Sequence, residues 1–398
     1  MIYLEINECE KIMTNSVNFT SELVKCPSVT PNDAGAFKLI KELFKDTDFK
    51  ITEVSKNGIK NLFLRWGSKN LPTFGFCGHI DVVNPGEISK WKMNPFSGKI
   101  INNEIFGRGS VDMKSAVAAF CLAALNVSKE ISPIFSIVLL ITSDEEGKAK
   151  DGTNAILEWM NKNNERMDYC IVGEPTCPKK LGDMIKIGRK GSLTCHFTII
   201  GKQGHSAYPQ LAINPINSSV DLIYLLTNKP LDNGSKFFEP STLVVTSIFT
   251  ENKANNVIPQ EVKVTVNIRF NDNHTGEKIS VWLKKCAKKI EHKTKTIIKT
   301  DIKISGEPFY SKPGYLAKLV KKSVQKYTGI SSEFSTSGGT SDARFVITKC
   351  PVVEFGLVGQ KMHAIDESVQ VSQIVDLENI YTDILKNYFN DVNRKTNG

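Results

Sequence analysis

The chain contains no run of about 18 apolar residues, the length a helix needs to cross a bilayer, which argues against a transmembrane segment. Its first 16 residues lack a basic start followed by an apolar stretch, so no secretory signal is expected. The nine cysteines are odd in number, scattered, and never in a C-x-x-C pair, so neither a zinc ribbon nor a disulfide framework is indicated. Most lie in apolar stretches, where a thiol packs as a small hydrophobe, and a reducing cytoplasm is the expected compartment. Internal repeats and low-complexity segments are also missing. What remains is an ordinary globular composition, 40% hydrophobic and 23% charged. At 398 residues the chain exceeds the size, about 250–300 residues, at which one core divides into domains, so two are expected.

The net charge is +9. Much of the lysine is spread over helix faces, as in Lys284, Lys285, Lys288 and Lys289 among Ile279, Leu283 and Ile290. That is the pattern of a solvated amphipathic face, so neither nucleic acid nor membrane is the expected partner. The basic balance would instead help attract a small substrate carrying several carboxylates.

Hydrophobic periodicity orders the elements. Residues 61–66 and 73–77 read as strands, and 135–142 as a stronger one, apolar on both sides like strands of a sheet covered on both faces. Residues 113–126 read as a buried helix, and 151–163 as the next, with Gly152 near its start. From about Ser192 the pattern changes to period two over 193–200 and 262–270, with Val262, Val264, Val266, Ile268 and Phe270 on one face. This is the signature of half-buried antiparallel strands. Helices over 215–226 and 276–291 accompany them. The expected fold class is α/β: a catalytic domain with a central mixed sheet flanked by helices (1–190 and 306–398), plus an inserted α+β domain over 191–305. The chain closes with an amphipathic helix over 372–389, striped by Ile374, Leu377, Ile380 and Ile384, and the polar tail after Asn390 is expected to fray.

Five short segments carry chemistry. G-H-I-D-V-V at 78–83 follows an apolar strand and sends His79 and Asp81 from its end, where a carboxylate can fix an imidazole's tautomer; alone, such a pair is commonly structural. G-R-G-S-V-D-M-K at 107–114 places Asp112 in a glycine-punctuated turn, where it is also a plausible helix N-cap, and the spacing does not match a phosphate-binding P-loop. T-S-D-E-E-G at 142–147 sets three acids in a row, costly without a cation or a partner unless the loop is solvated. Glu174 in V-G-E-P and His363 in G-Q-K-M-H-A-I-D-E say little singly. Together, His79, Asp112, Glu146, Glu174 and His363 all fall on or just past expected strand ends. Mixed imidazole and carboxylate ligation suits zinc, cobalt or manganese. Five ligands are too many for one tetrahedral catalytic ion, whereas two ions about 3.5–4 Å apart sharing Asp112 would use them all. Glu145 is then left free of metal and adjacent to a polarised water, the place for a general base.

With these segments the chain resembles the co-catalytic dizinc peptidases and deacylases, and within them the succinyl-diaminopimelate desuccinylases, from about Val17 to Tyr388. A-N-N-V-I-P at 254–259 carries the resemblance further, and the branch is marked by R-K-G-S-L within 189–194, Q-G-H-S-A-Y-P within 201–209 and S-G-G-T-S-D within 336–345. The resemblance implies two Zn²⁺ per subunit, with cobalt or manganese as alternatives at the second site. One ion would sit on His79 and Glu174, the other on Glu146 and His363, with Asp112 bridging. Asp81 would orient His79, and Glu145 would take the proton from water. His205 would come from the partner subunit of a homodimer to stabilise the oxyanion, making the insertion a ferredoxin-like dimerisation and lid domain. Arg189, Ser192, Tyr208, Asn255, Arg269 and Thr340 match substrate-holding positions; arginines grip carboxylates bidentately, and glycines beside Thr340 allow close backbone approach. The implied reaction is hydrolysis of N-succinyl-L,L-2,6-diaminopimelate to succinate and L,L-diaminopimelate, a step of lysine and cell-wall precursor synthesis.

Two features depart from that pattern. Gly359 and Lys361 stand where desuccinylases usually carry Asn and Thr, which puts a substrate contact in question. The family-like sequence begins only near Val17, so residues before Met13 are expected to be an upstream start or a disordered extension. The rival readings are a sister enzyme such as acetylornithine deacetylase, an aminoacylase or a dipeptidase, and a metal-binding or scaffolding protein that has lost catalysis. The second fits poorly, because Glu145 and all five ligands are present.

Overall fold

Continuous apolar runs become the inner strands of a sheet that is covered on both faces. In the computed structural model, which describes residues 15–397 with side chains as far as Arg394, Thr73–His79 and Ser136–Thr142 are buried at every position. The extension expected before Met13, Cys9 and nearly all of the stretch read for a signal lie outside the described residues.

The chain forms two compact units. The first comprises residues up to Ile187, Ser311–Ser335 and the chain from Ser341 onward; the second comprises Gly188–Tyr310 and Thr336–Thr340. The short segment at 336–340 thus joins the second unit, although it stands well beyond the insertion read over 191–305.

The first unit holds an eight-stranded mixed sheet in the order Lys50–Lys56, Ile59–Trp66, Ser136–Thr142, Thr73–His79, Tyr169–Val172, Val352–Glu354, Met184–Lys186, Glu333–Ser335. The four strands from Ser136–Thr142 to Val352–Glu354 run parallel, so their carboxyl ends lie on one side. The helix Lys114–Glu130 is buried along most of its length because alanines let it sit deep between its neighbours. Phe76 and Phe120 stack at 4.3 Å, and Tyr381 meets both edge-on while its hydroxyl donates to the Phe355 carbonyl at 2.6 Å. Truncating Phe120 in this fully buried layer would cost about 3–5 kcal/mol.

The last helix runs Val371–Asn397, past the end expected at residue 389. Its polar tail does not fray because Val392 is buried and Asp391 accepts a hydrogen bond from the Tyr315 hydroxyl at 2.8 Å. A residue one turn further on, Arg394, adds an exposed i,i+3 contact to Asp391. Among the described residues, no helix is long and apolar enough to cross a membrane.

The second unit follows the period-two pattern. Its four antiparallel strands, in the order Thr242–Phe249, Glu261–Phe270, Gly191–Ile200, Ile297–Gly306, carry the helices Pro215–Thr227 and Gly276–Thr294. Leu193, Cys195, Phe197 and Ile199 face Val262, Val264, Val266, Ile268 and Phe270 in one core, which Leu222, Leu226, Ile279 and Leu283 cover. The strand–helix–strand–strand–helix–strand order is ferredoxin-like.

Candidate metal centre

Three parallel strand ends deliver four of the candidate side chains. His79 is the last residue of Thr73–His79, Glu145 and Glu146 follow Ser136–Thr142, and Glu174 follows Tyr169–Val172. Residues just past strand ends are where open α/β sheets gather their sites. Asp112 and His363 arrive differently. Asp112 lies in the turn before Lys114–Glu130, whose N-cap position falls to Met113, so the capping role open to Asp112 is not the one it takes. His363 follows the Gly359–Lys361 turn with a left-handed backbone, φ 61°.

The side chains nevertheless converge. His79 Nε2 lies 3.2 Å from Asp112 Oδ1 and 3.9 Å from Glu174 Oε1. His363 Nε2 lies 3.3 Å from Asp112 Oδ2 and 2.7 Å from Glu146 Oε1. Each oxygen of Asp112 therefore faces a different histidine. In the sets His79–Asp112–Glu174 and Asp112–Glu146–His363, one ligand atom per residue lies within 4.8 Å of the others, and both sets could hold a metal ion. His79, Glu145 and Glu146 meet the same spacing, so Glu145 borders the same basin.

Electrostatics favour a cation here. Asp112, Glu145, Glu146 and Glu174 crowd four carboxylates around two imidazoles, and two divalent cations would balance those four charges. Desolvation of the partly exposed Glu145, reinforced by the charge of Glu174, pushes its carboxyl well above the usual range. Burial opposes ionisation of Asp112, yet hydrogen bonds from His363 and His79 hold it below that range. Those same contacts, from Asp112 first and Glu146 second, raise His363 to about 10. The donor set and its charge fit a divalent metal.

Asp81 is fully buried, and burial pushes its carboxyl up to about 6. His79 Nδ1 lies 2.9 Å from the Asp81 main-chain carbonyl and 3.7 Å from its carboxylate. The carboxylate instead accepts the N–H groups of Glu145 at 3.3 Å and Glu146 at 3.1 Å, and the Thr30 hydroxyl at 2.6 Å. One residue thus contacts the imidazole through its backbone and the acidic loop through its side chain.

The remaining expected residues all fall in the second unit. Arg269 Nη1 donates to Thr340 Oγ1 at 3.3 Å, and Ser192 pairs with Arg269 across adjacent strands. Arg189 is buried, and its guanidinium packs close to Gly338, where an added Cβ would lie 2.5 Å from Nη1. His205, Tyr208 and Asn255 are exposed, with the His205 ring 5.9 Å from that of Tyr208. In the first unit, Lys361 donates to Ser368 Oγ at 2.7 Å and pairs with Glu104 at 3.1 Å, so this departure from the family pattern has a local structural partner. Sequence reading missed Arg108 and Glu367, a buried ion pair at 2.7 Å beside Asp112 and His363. A charged residue in a turn reads as solvated unless its partner, 259 positions away, is known.

Residues 75–387 match the model of peptidase family M20/M25/M40. The chain is 51% identical over 374 residues to a protein of Cereibacter sphaeroides named succinyl-diaminopimelate desuccinylase, covering 94% of this chain and 98% of the relative. A protein of the same name from Roseobacter denitrificans is 50% identical over the same shares. Among solved structures, a tripeptidase from Staphylococcus aureus superposes with a TM-score of 0.77 at 20% identity, covering 94% of this chain and 98% of that one. A Bacillus subtilis protein described as a dinuclear metal binding peptidase of this family superposes with a TM-score of 0.70 at 14% identity, over 94% and 98%. The expected fold class and the resemblance to the desuccinylases are borne out: the chain belongs to peptidase family M20/M25/M40.

Proposed function

We propose that this chain hydrolyses N-succinyl-L,L-2,6-diaminopimelate to succinate and L,L-diaminopimelate, using two zinc ions per subunit. The observation that carries the chemistry is the pair of contacts at Asp112, whose oxygens face His79 at 3.2 Å and His363 at 3.3 Å. The choice of substrate is supported by half-identity to desuccinylases over nearly the whole chain. His79 and Glu174 would hold one ion, Glu146 and His363 the other, and Asp112 both; cobalt or manganese remain alternatives at the second position.

When bound, the ions polarise the acyl carbonyl and lower the pKa of a water molecule. Glu145, with its affinity for protons raised by desolvation, accepts a proton from that water as its oxygen adds to the succinyl carbon. As the carbon–nitrogen bond breaks, Glu145 returns the proton to the departing amine, and the hydroxyl remains on succinate. Asp81 holds the loop carrying Glu145 and Glu146 through two backbone N–H groups.

Arg189, Ser192, Tyr208, Asn255, Arg269 and Thr340 would hold the substrate, the two guanidiniums gripping its carboxylates. His205 of the partner subunit would stabilise the oxyanion within a homodimer. The dimer is supported by exposed apolar side chains on the second unit, Val220 and Tyr224 on the helix Pro215–Thr227 and Val244 and Ile248 on the edge strand Thr242–Phe249, 56–69% exposed. The eight described cysteines are all free, in keeping with a cytoplasmic enzyme.

Comparing hydrolysis of N-succinyl-L,L-diaminopimelate with that of N-acetylornithine tests the assignment. Preference for the succinyl substrate by about 10⁴-fold is expected, the scale set by leaving buried polar groups of a site unpaired. Preference for acetylornithine would transfer the chain to the sister deacylases.

A further inference from the structure

Asp112 and His363 are the two ligands that no strand end positions, yet they must stand within reach of a shared ion. Between their loops lies an ion pair with almost no access to solvent. Glu367 is fully buried and Arg108 is 3% exposed. Glu367 Oε2 accepts from Arg108 Nη1 at 2.7 Å. Its Oε1 accepts three main-chain N–H groups, from Gly109 at 3.1 Å, Val111 at 2.8 Å and Asp112 at 3.3 Å. Arg108 in turn donates from Nη2 to the His363 carbonyl at 3.2 Å and from Nη1 to that of Ala364 at 3.1 Å. The Trp91 ring lies 5.1 Å from the guanidinium carbon and covers it. The loop so gripped holds left-handed backbones at His363 and Asp366, φ 61° and 58°.

Removing two charges from water costs several kcal/mol per ion, so such a pair adds little net stability, and its value lies in geometry. Here one carboxylate grips the backbone of the Asp112 loop while its partner grips the carbonyl of His363. We propose that Arg108 and Glu367 are positioning residues of the metal centre, holding Asp112 and His363 at the separation one divalent cation can span, and thereby setting affinity on the Glu146–His363 side. The inference rests on reading the five side chains as a two-ion site. His79 and Glu174 are delivered by their own strand ends, so their half of the site depends on the pair less.

The test is zinc titration of the metal-free, full-length chain against a chromophoric chelator, for the unaltered protein and for Glu367→Gln and Arg108→Lys. Parallel His363→Ala and Glu174→Ala variants assign each dissociation constant to its half. Loss of an outer-shell partner typically weakens metal binding about 10–100-fold. Both test variants should show that loss in the constant abolished by His363→Ala, with a several-fold smaller change in the other. Arg108→Lys keeps the charge but not the fork, and carries the test if Glu367→Gln does not fold. Unchanged constants with a lowered melting temperature, or equal weakening of both, would overturn the inference. Uptake of fewer than two ions by the unaltered chain would instead overturn the two-ion reading beneath it.

Discussion

The carboxylate of Asp81 accepts the main-chain N–H of Glu146 at 3.1 Å, tying the end of one central strand to the acidic loop of its neighbour. The adjacent N–H of Glu145 donates to the other oxygen at 3.3 Å. Asp81 is therefore placed to hold Glu145 and Glu146, the proposed base and ligand, in register while its backbone carbonyl contacts His79. An Asp81→Asn chain presents an amide where an acceptor is needed. It should lose about 10–100-fold in kcat. Zinc content should stay near that of the unaltered chain, because the carbonyl at position 81 persists; loss of the His79-side ion would show that the carboxylate itself supports that imidazole.

Glu145→Gln preserves shape and removes the basic oxygen. The expected loss is about 10²–10⁴ in kcat, the usual range for a general base, with both ions retained. Full activity in this variant would remove Glu145 from the mechanism whatever the substrate.

Much of this site is legible in the sequence because three of its strands are. The apolar runs before His79, Glu145 and Glu174 mark strand ends, and a parallel sheet brings such ends together. Asp112 and His363 obey no such rule. They lie on loops, and only their motifs single them out. The Arg108–Glu367 pair is invisible for a physical reason: burial of a charge is decided by a partner far away in the chain, and neither residue's neighbourhood shows it. The alternation of Val262 to Phe270 identified the second unit's core strand correctly, since one buried face leaves a period of two. The final helix extends beyond its amphipathic stripe because its last turns are polar and are held by tertiary contacts, Tyr315 to Asp391 among them.

Lys114 offers a test in pH. Its side chain is fully buried, with Nζ donating to the carbonyls of Leu23 at 2.9 Å and Cys26 at 2.8 Å, and burial lowers its pKa to about 8. The unfolded chain, where lysine titrates at about 10.4, binds the proton more tightly. Folding stability due to this group should therefore rise as pH increases from about 8 towards 10.4, by on the order of 1.4 kcal/mol per unit, and be lost as pH falls through 8. Chemical denaturation of the unaltered chain relative to Lys114→Met measures it. A difference that stays flat across this window would mean the lysine keeps its ordinary pKa.

The exposed apolar side chains of the second unit yield a prediction about assembly. Val244→Glu and Tyr224→Glu place charge on side chains that are 56% and 69% exposed, so neither should disturb folding of the single chain. Both should convert a dimer to a monomer in light scattering and abolish most activity. A fully active monomer would exclude a contribution of His205 from a partner subunit.

On the proposed reading, five side chains from distant parts of the chain grip a pair of cations. Anomalous diffraction at the zinc edge from crystals of the zinc-loaded protein locates those cations. Two peaks about 3.5–4 Å apart are expected, one beside His79 and Glu174 and one beside Glu146 and His363, with Asp112 between them. A single peak, or zinc bound away from Asp112, would rule out a two-ion site bridged by that carboxylate.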